Sequence, residues 1–258
     1  MQLPFILSVP HCGVQVPQAL RSSMALDERE ILESVDFGTY EIFGHMPAQA
    51  VIKAQWSRLV ADLNRNPQQR DAKGVVALSD YHGRRVFKPG SEPAAEQIEQ
   101  RVQRYHRPYH ELLQQALDDH SYLALFDCHS LNGKGPADAP DAGQIRKDIT
   151  LSNNGDLEGK QRTDMGPVTC PPDLLQAITG LFGQQGFSTS VNHPYKGGYI
   201  VNNYAPSLLK TGRFAIQIEM NQDLYMEAGS LEPDPGRISE VTERMTRAFC
   251  AIADRLRA

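Results

Sequence analysis

The sequence predicts an α/β fold, a mixed central sheet flanked by helices, and three patterns carry that expectation. Short apolar runs alternate along the chain with amphipathic stretches long enough to be helices. The apolar runs empty into loops of glycine, proline and small polar residues, as buried strands do. Three of the runs also end on chemistry. Leu3–Val9 leads through Pro10 to His11, Tyr122–Phe126 leads to Asp127-Cys128-His129, and Arg213–Ile218 leads to Glu219. Ligands of open α/β sheets bind outside the carboxyl ends of the strands, so these side chains are expected to converge.

At 258 residues, with no linker or shift in composition, the chain is expected to form one domain spanning 1–258. A 40% hydrophobic and 22% charged composition is that of a globular protein and not of a disordered chain or a repeat array. The net charge of −5 argues against a nucleic-acid or membrane-surface partner. No run approaches the roughly 20 apolar residues of a membrane span. Four cysteines without CxxC spacing argue against a disulfide framework. The first residues read as a strand and not as a signal peptide, so the expected location is cytoplasmic. The oligomeric state is left open.

Taken in order, residues 3–9 read as a strand. A helix starts at Asp27, with acidic residues in its first turn where the helix dipole favours them. A further helix is expected over 38–46. Ala50–Ala54 and Arg58–Ala61 read as two short strands, the second leading into Asp62-Leu63-Asn64-Arg65. Residues 66–90, rich in Pro, Gly, Asp and Arg, read as the loop rim of a site. Residues 93–119 carry the clearest helical pattern, kinked or interrupted at Pro108. The strand ending at Asp127 follows, then a mobile loop over 131–145. Strands over 149–152 and 188–191, a helix over 171–185, the Glu219 strand and a closing helix over 238–257 complete the chain.

A strand-end histidine is ordinarily satisfied by backbone hydrogen bonds. The sharp Pro10…Gly13 loop favours a ligand at His11 instead. In Asp127-Cys128-His129 the strand period places Asp127 and His129 on one face, so Asp127 is expected to orient the His129 ring. Two imidazoles and a carboxylate on strand ends suit a mononuclear metal site in a hydrolase, with the carboxylate as ligand or base. Glu219 sits in an apolar strand and is expected to be buried, where a carboxylate has a partner or a task. It suits a general base. Asn64 and Arg65 pair an amide with a planar guanidinium, the combination that holds a carboxylate. They point to an anionic, amino-acid-like substrate. His106 and His110, four apart but separated by Pro108 and lacking an HExxH glutamate, read as structural. His45, His82, His120 and His193 have no supporting pattern, although His82 lies in the rim and is expected within reach of substrate.

Several segments together resemble the N-formylglutamate amidohydrolase family. They are Ser8-Val9-Pro10-His11-Cys12-Gly13, Val35-Asp36-Phe37-Gly38, Ser57-Arg58-Leu59-Val60-Ala61-Asp62-Leu63-Asn64-Arg65, Arg107-Pro108-Tyr109-His110, Asp127-Cys128-His129-Ser130, Tyr195-Lys196-Gly197-Gly198-Tyr199 and Gln217-Ile218-Glu219-Met220-Asn221. The resemblance spans nearly the whole chain in order. It implies a phosphorylase/hydrolase-like α/β architecture, akin to zinc carboxypeptidases and aspartoacylases, and one Zn²⁺ per chain. It implies hydrolysis of a small N-acyl amino acid, with N-formyl-L-glutamate the leading case, and the family name points to histidine degradation.

Carboxypeptidase-like enzymes take a carboxylate ligand three residues after the first histidine, but Val14 stands there. The third ligand beside His11 and His129 is therefore expected to be Asp36, in the family's own acidic motif, with Glu41 as the rival. Glu219 is expected as base and then acid, and Asn64 and Arg65 as the carboxylate clamp. Tyr199 and Arg213 are expected, from loop position alone, to stabilise the oxyanion. Two other readings stay open: a related zinc amidase for another N-acyl amino acid or a peptidoglycan-type amide, and a metal-free carboxylate-binding module.

Overall fold

Alternation along three strands decides how this protein is layered. In a computed structural model that describes residues 2–119, 121–227 and 229–257, six strands form a mixed sheet in the order β2-β1-β3-β6-β4-β5. In chain order the elements are β1 (Leu3–Val9), α1 (Gln18–Arg21), α2 (Glu28–Leu32), α3 (Thr39–Phe43), β2 (Ala48–Lys53), α4 (Ala95–Arg101), α5 (Arg107–Asp118), β3 (Ala124–Leu131), β4 (Ile149–Ser152), α6 (Pro172–Gln184), β5 (Thr189–Val191), α7 (Tyr199–Leu209), β6 (Phe214–Asn221) and α8 (Pro235–Arg257). Strands β2, β1, β3 and β6 are parallel, and β4 runs antiparallel to β6. The expected mixed sheet between helices is what the chain forms. His120, without a supporting pattern in the sequence, lies outside the described residues.

One sheet face is apolar along its length. Phe5, Leu7 and Val9 of β1, Phe126 and Cys128 of β3, and Ile216, Ile218 and Met220 of β6 pack there against α3, α6 and α8. Buried positions Val241, Met245, Phe249 and Ile252 give α8 the stripe that faces this layer. Each fully buried side chain of this size contributes about 1.5–3 kcal/mol. The opposite face, covered by α5 and α7, is apolar only in its lower half, at Ile6, Leu125 and Ala215. Towards the strands' carboxyl ends the same period-two positions become Ser8, Asp127, His129, Gln217 and Glu219, all buried. Register pairs Ser8 with Asp127, Asp127 with Gln217 and His129 with Glu219. A polar site is thus built into one end of one face. The chain leaves β1 in one direction to β2 and returns on its other side as β3, so the topological switch point falls between the strands that deliver His11 and His129.

Most elements match their sequence signals. The helix expected at Asp27 is α2, and Asp27 and Glu30 form a reciprocal capping box at 2.8 Å each way. Four differences have physical causes. Arg58–Ala61 forms turns and not a strand. Its backbone bonds locally, Val60 N–H to the Ser57 carbonyl. The third strand does not end at Asp127 but continues to Leu131, because His129 and Ser130 keep pairing with Glu219 and Met220 of β6. The helix over 93–119 is split by a π-helical turn, Val102–His106, in which Arg107 N–H reaches back five residues to the Val102 carbonyl. Pro108 then falls in the first turn of α5, where its missing N–H leaves no bond unmade. Helix α7 carries no clear signal in the sequence: Pro206 and two asparagines mask its buried positions Ile200, Val201, Tyr204, Ala205 and Leu208. No helix among the described residues is long and apolar enough to cross a membrane.

Candidate functional site

His11, just beyond β1, and His129, near the end of β3, meet with Asp36 at the switch point. Their Nδ1 atoms lie 3.1 Å apart. Asp36 Oδ2 lies 3.1 Å from Nδ1 of His129 and 3.5 Å from Nδ1 of His11. Each ring turns its other nitrogen to a carboxylate. His11 Nε2 is 2.8 Å from Asp62 Oδ1, and His129 Nε2 is 2.8 Å from Asp127 Oδ2. Asp127 behaves as the strand period predicts, and Ser8 Oγ donates to its other oxygen at 2.7 Å.

Asp36 reaches this point through the Val35–Gly38 turn. Its N–H bonds to the His11 carbonyl at 3.0 Å, and Ser130 N–H donates to its carboxylate at 3.2 Å. Gly38 adopts φ +80°, and a Cβ there would sit 2.2 Å from the Tyr225 ring, whose hydroxyl donates to the Phe37 carbonyl. Glu41, the rival third ligand, is exposed on α3. Asp36 is therefore the carboxylate that joins the two histidines.

The donor set fits a divalent ion. In the neutral tautomers that point their Nε2 protons at these carboxylates, three electron-pair donors face one point. Ligands held about 2.0–2.1 Å from a tetrahedral ion sit roughly 3.3 Å from one another, which matches the three separations here. The carboxylate-backed imidazoles are the arrangement that fixes the tautomer and raises ligand basicity. Two carboxylates outside the triad add negative charge, Asp62 on the His11 ring and Asp127 on the His129 ring.

Glu219 lines the same cavity, about 140 Å³ in volume, and is buried. Its Oε1 accepts from Gln217 Nε2 at 2.9 Å. Burial, opposed by His129 and reinforced by Asp36, pushes its carboxyl up to about 8. Burial pulls His129 down, but Asp127, Asp36 and Glu219 outweigh it and hold the imidazole well above its ordinary value. Asp36 goes the other way: burial raises it, and the two histidines overcome that and lower it.

These directions set a pH dependence for the metal-free protein. A group whose pKa rises on folding stabilises the fold fully below its unfolded value and loses that contribution as pH climbs through the folded value. For Glu219 the window runs from about 4.5 to about 8, and His129 acts in the same sense. Asp36 is ionised in both states over this range. Chelator-treated protein is expected to melt at progressively lower temperature from pH 5 to pH 9, with Glu219 and His129 both contributing to the loss. Added Zn²⁺ is expected to raise the melting temperature most at the alkaline end, where its ligands are deprotonated. A flat or rising thermal midpoint in chelator would contradict the placement of Glu219.

Of the expected carboxylate clamp, Arg65 lines the cavity and meets no carboxylate within 4.0 Å among the described residues. Its Nε and Nη1 donate to the carbonyls of Lys73 and Asn64. The segment is held from behind by the two histidines read as structural: His106 Nε2 bonds to the Arg65 carbonyl at 3.0 Å and His110 Nε2 to that of Leu63 at 2.9 Å. Burial and His106 push His110 down to about 4, so it stays neutral.

Asn64 also lines the cavity, but its amide is committed. Oδ1 accepts from Ile200 N–H at 2.8 Å, and Nδ2 lies 3.0 Å from His129 Nε2 and 3.3 Å from Gln217 Oε1. Gly198 permits this, since a Cβ there would meet the Asn64 amide at 2.2 Å.

Tyr199 and Arg213 do not line the cavity. Tyr199 opens α7, and its ring packs against His106 and His110. Arg213 precedes β6, at the amino end of a strand whose carboxyl end forms the site, and its guanidinium lies 4.8 Å from the Tyr122 ring. His82 lies in the rim but outside the cavity.

The guanidinium beside the triad is instead Arg58, with Nη1 3.7 Å from Asp36 Oδ1 and Nη2 2.7 Å from Asp62. Arg146, clamped bidentately by Asp141 at 2.6 and 2.7 Å, forms another wall with Tyr195. Neither carried a functional signal of its own: Arg58 read as strand and Arg146 followed a loop. Gln217 was legible, two residues before Glu219 on one strand face.

The profile of the N-formylglutamate amidohydrolase family matches residues 3–226. The chain is 27% identical over 238 residues to an N-formylglutamate deformylase of Pseudomonas putida, covering 88% of this chain and 83% of that protein. It is 23% identical over 258 residues to an N-formylglutamate deformylase of Pseudomonas aeruginosa, covering 95% and 91%. Its fold is similar to that of the crystal structure of N-formylglutamate amidohydrolase from Ralstonia eutropha JMP134, with TM-score 0.78, 20% identity, and 99% and 94% of the two chains covered. It is also similar to gene product Atu2144 from Agrobacterium tumefaciens, with TM-score 0.72, 14% identity and 99% and 92% covered. With the family profile matched over most of its length, the chain belongs to the N-formylglutamate amidohydrolase family.

Proposed function

We propose that this protein is a zinc-dependent amidohydrolase that cleaves N-formyl-L-glutamate to formate and L-glutamate. The observation that carries the proposal is the meeting of His11, Asp36 and His129 with Glu219 and Arg65 around one cavity. The deformylase relatives favour this substrate over other N-acyl amino acids.

His11, Asp36 and His129 would hold the ion, which would supply Lewis-acid chemistry beside Glu219. Asp62 and Asp127 keep both rings in the ligating tautomer. Glu219 takes a proton from the attacking water and returns it to the departing nitrogen, so the C–N bond breaks as the amine leaves neutral. Arg65 holds a carboxylate and so fixes the scissile bond relative to Glu219. Arg58 places positive charge beside the triad, where negative charge develops on the formyl oxygen. Asn64 Nδ2 donates to Gln217 Oε1, and the Gln217 amide in turn donates to Glu219, which keeps the base in place.

A panel of N-formyl, N-acetyl and N-succinyl amino acids tests this reading. Release of formate from N-formyl-L-glutamate is expected to exceed turnover of the other compounds. Absence of turnover of any of them by zinc-loaded protein would sink it.

A further inference from the structure

Four residues of the main cavity, Ser34, Arg58, Arg65 and Tyr81, also line a side chamber of about 30 Å³ that reaches Lys73, Ser79 and Asp80. They form the neck between the two spaces. Three of them have evident bonding. Arg58 is bound by Asp62 and donates to Tyr81 Oη at 2.7 Å, and Arg65 donates to backbone carbonyls. Ser34 is different. It is buried, and its Oγ has no hydrogen-bond partner among the described residues. Nearly all buried hydroxyls are bonded, so an unpartnered hydroxyl on a residue that lines both spaces calls for a ligand.

The chemistry of the neck identifies that ligand. Tyr81 Oη accepts from Arg58, which leaves its own proton to donate. Ser34 offers a second hydroxyl proton, and Arg65 a guanidinium with no carboxylate within 4.0 Å among the described residues. Two hydroxyl donors beside a cation suit an acceptor-only anion, and a carboxylate is one. The amide expected to share this task, Asn64, is committed elsewhere.

We infer that Ser34 is a substrate-binding residue, whose hydroxyl joins Arg65 in holding one carboxylate of a dicarboxylic N-formyl amino acid at the neck. The inference rests on the amidohydrolase reading above and goes beyond it in assigning a residue that sets specificity.

Kinetics of zinc-loaded Ser34→Ala with N-formyl-L-glutamate, N-formyl-L-glutamine and N-formyl-L-isoglutamine test it. A hydrogen bond to a charged group implies a KM raised roughly ten- to hundred-fold for the dicarboxylate, with kcat retained. The penalty is expected to collapse for whichever mono-amide lacks the carboxylate held at the neck. The variant is also expected to melt no lower than wild type, because it removes an unbonded buried hydroxyl. An equal penalty on all three substrates, or none on any, would overturn the assignment. If wild type turns over none of them, the amidohydrolase reading fails instead. Calorimetric binding of L-glutamate then decides Ser34, with unchanged affinity in Ser34→Ala counting against it.

Discussion

Purified protein is expected to carry about one zinc per chain, and His129→Ala to lose both the metal and amide hydrolysis, by a factor on the order of 10³ or more. The reason is geometric. His129 contributes one of three donor atoms that converge within 3.5 Å of each other, and its other nitrogen is already held by Asp127. Removing the ring leaves His11 and Asp36, two ligands that cannot define a tetrahedral site with one open position. It also leaves Asp127 buried without its imidazole partner, so some loss of stability is expected. Asp36→Asn separates the two effects, because it keeps the volume and removes the charge that couples both rings. Elemental analysis after dialysis, alongside formate release, reads the outcome. Metal retained at wild-type stoichiometry in His129→Ala would remove that residue from the site.

Glu219→Gln is expected to lower kcat by about 10²- to 10⁴-fold, the range for loss of a positioned acid–base group, while metal content and KM change little. The substitution preserves the shape of the side chain and the neighbouring Gln217, whose Nε2 now meets an amide oxygen in place of a carboxylate. It deletes only the proton acceptor. It also removes the buried carboxyl that burial pushes up to about 8, so the metal-free variant is expected to lose much of the fall in stability between pH 5 and pH 9. Steady-state kinetics, metal analysis and thermal melts of one preparation check all of this. A variant that keeps wild-type kcat would show that Glu219 is not the base.

Both predictions rest on residues that local sequence pattern exposes. Phe214–Ile218 alternates with the Gln217 and Glu219 face, and Leu125, Asp127 and His129 share the corresponding face of β3, so burial of polar groups on one side could be read from period two alone. Helix α2 announced itself through Asp27 and Glu30, and α8 through its apolar stripe. Helix α7 stayed hidden because Pro206 sits inside it, and Arg58–Ala61 looked like a strand because its apolar content reflects burial in turns that bond locally. The family resemblance named Asp36 as the third ligand, but residue patterns alone did not separate it from Glu41, since both lie beyond His11 in a short acidic stretch.

Residue order along the chain was enough to specify the α/β class, the strand-end placement of His11, His129 and Glu219, and the pairing of Asp127 with the His129 ring. Those features depend on the period of a strand and on the residues that terminate it, both written in near neighbours. What those groups meet was chosen only when the chain folded. Folding brought Asp36 and not Glu41 to the histidines, turned Asp62 onto His11, and bound the Asn64 amide to Ile200 and Gln217. It moved Arg213 to the far end of β6 and set Arg58 beside the triad in its stead. Contacts that span as much as the 153 positions from Asn64 to Gln217 are set by the order in which strands and loops assemble around the switch point, and no local pattern encodes that order.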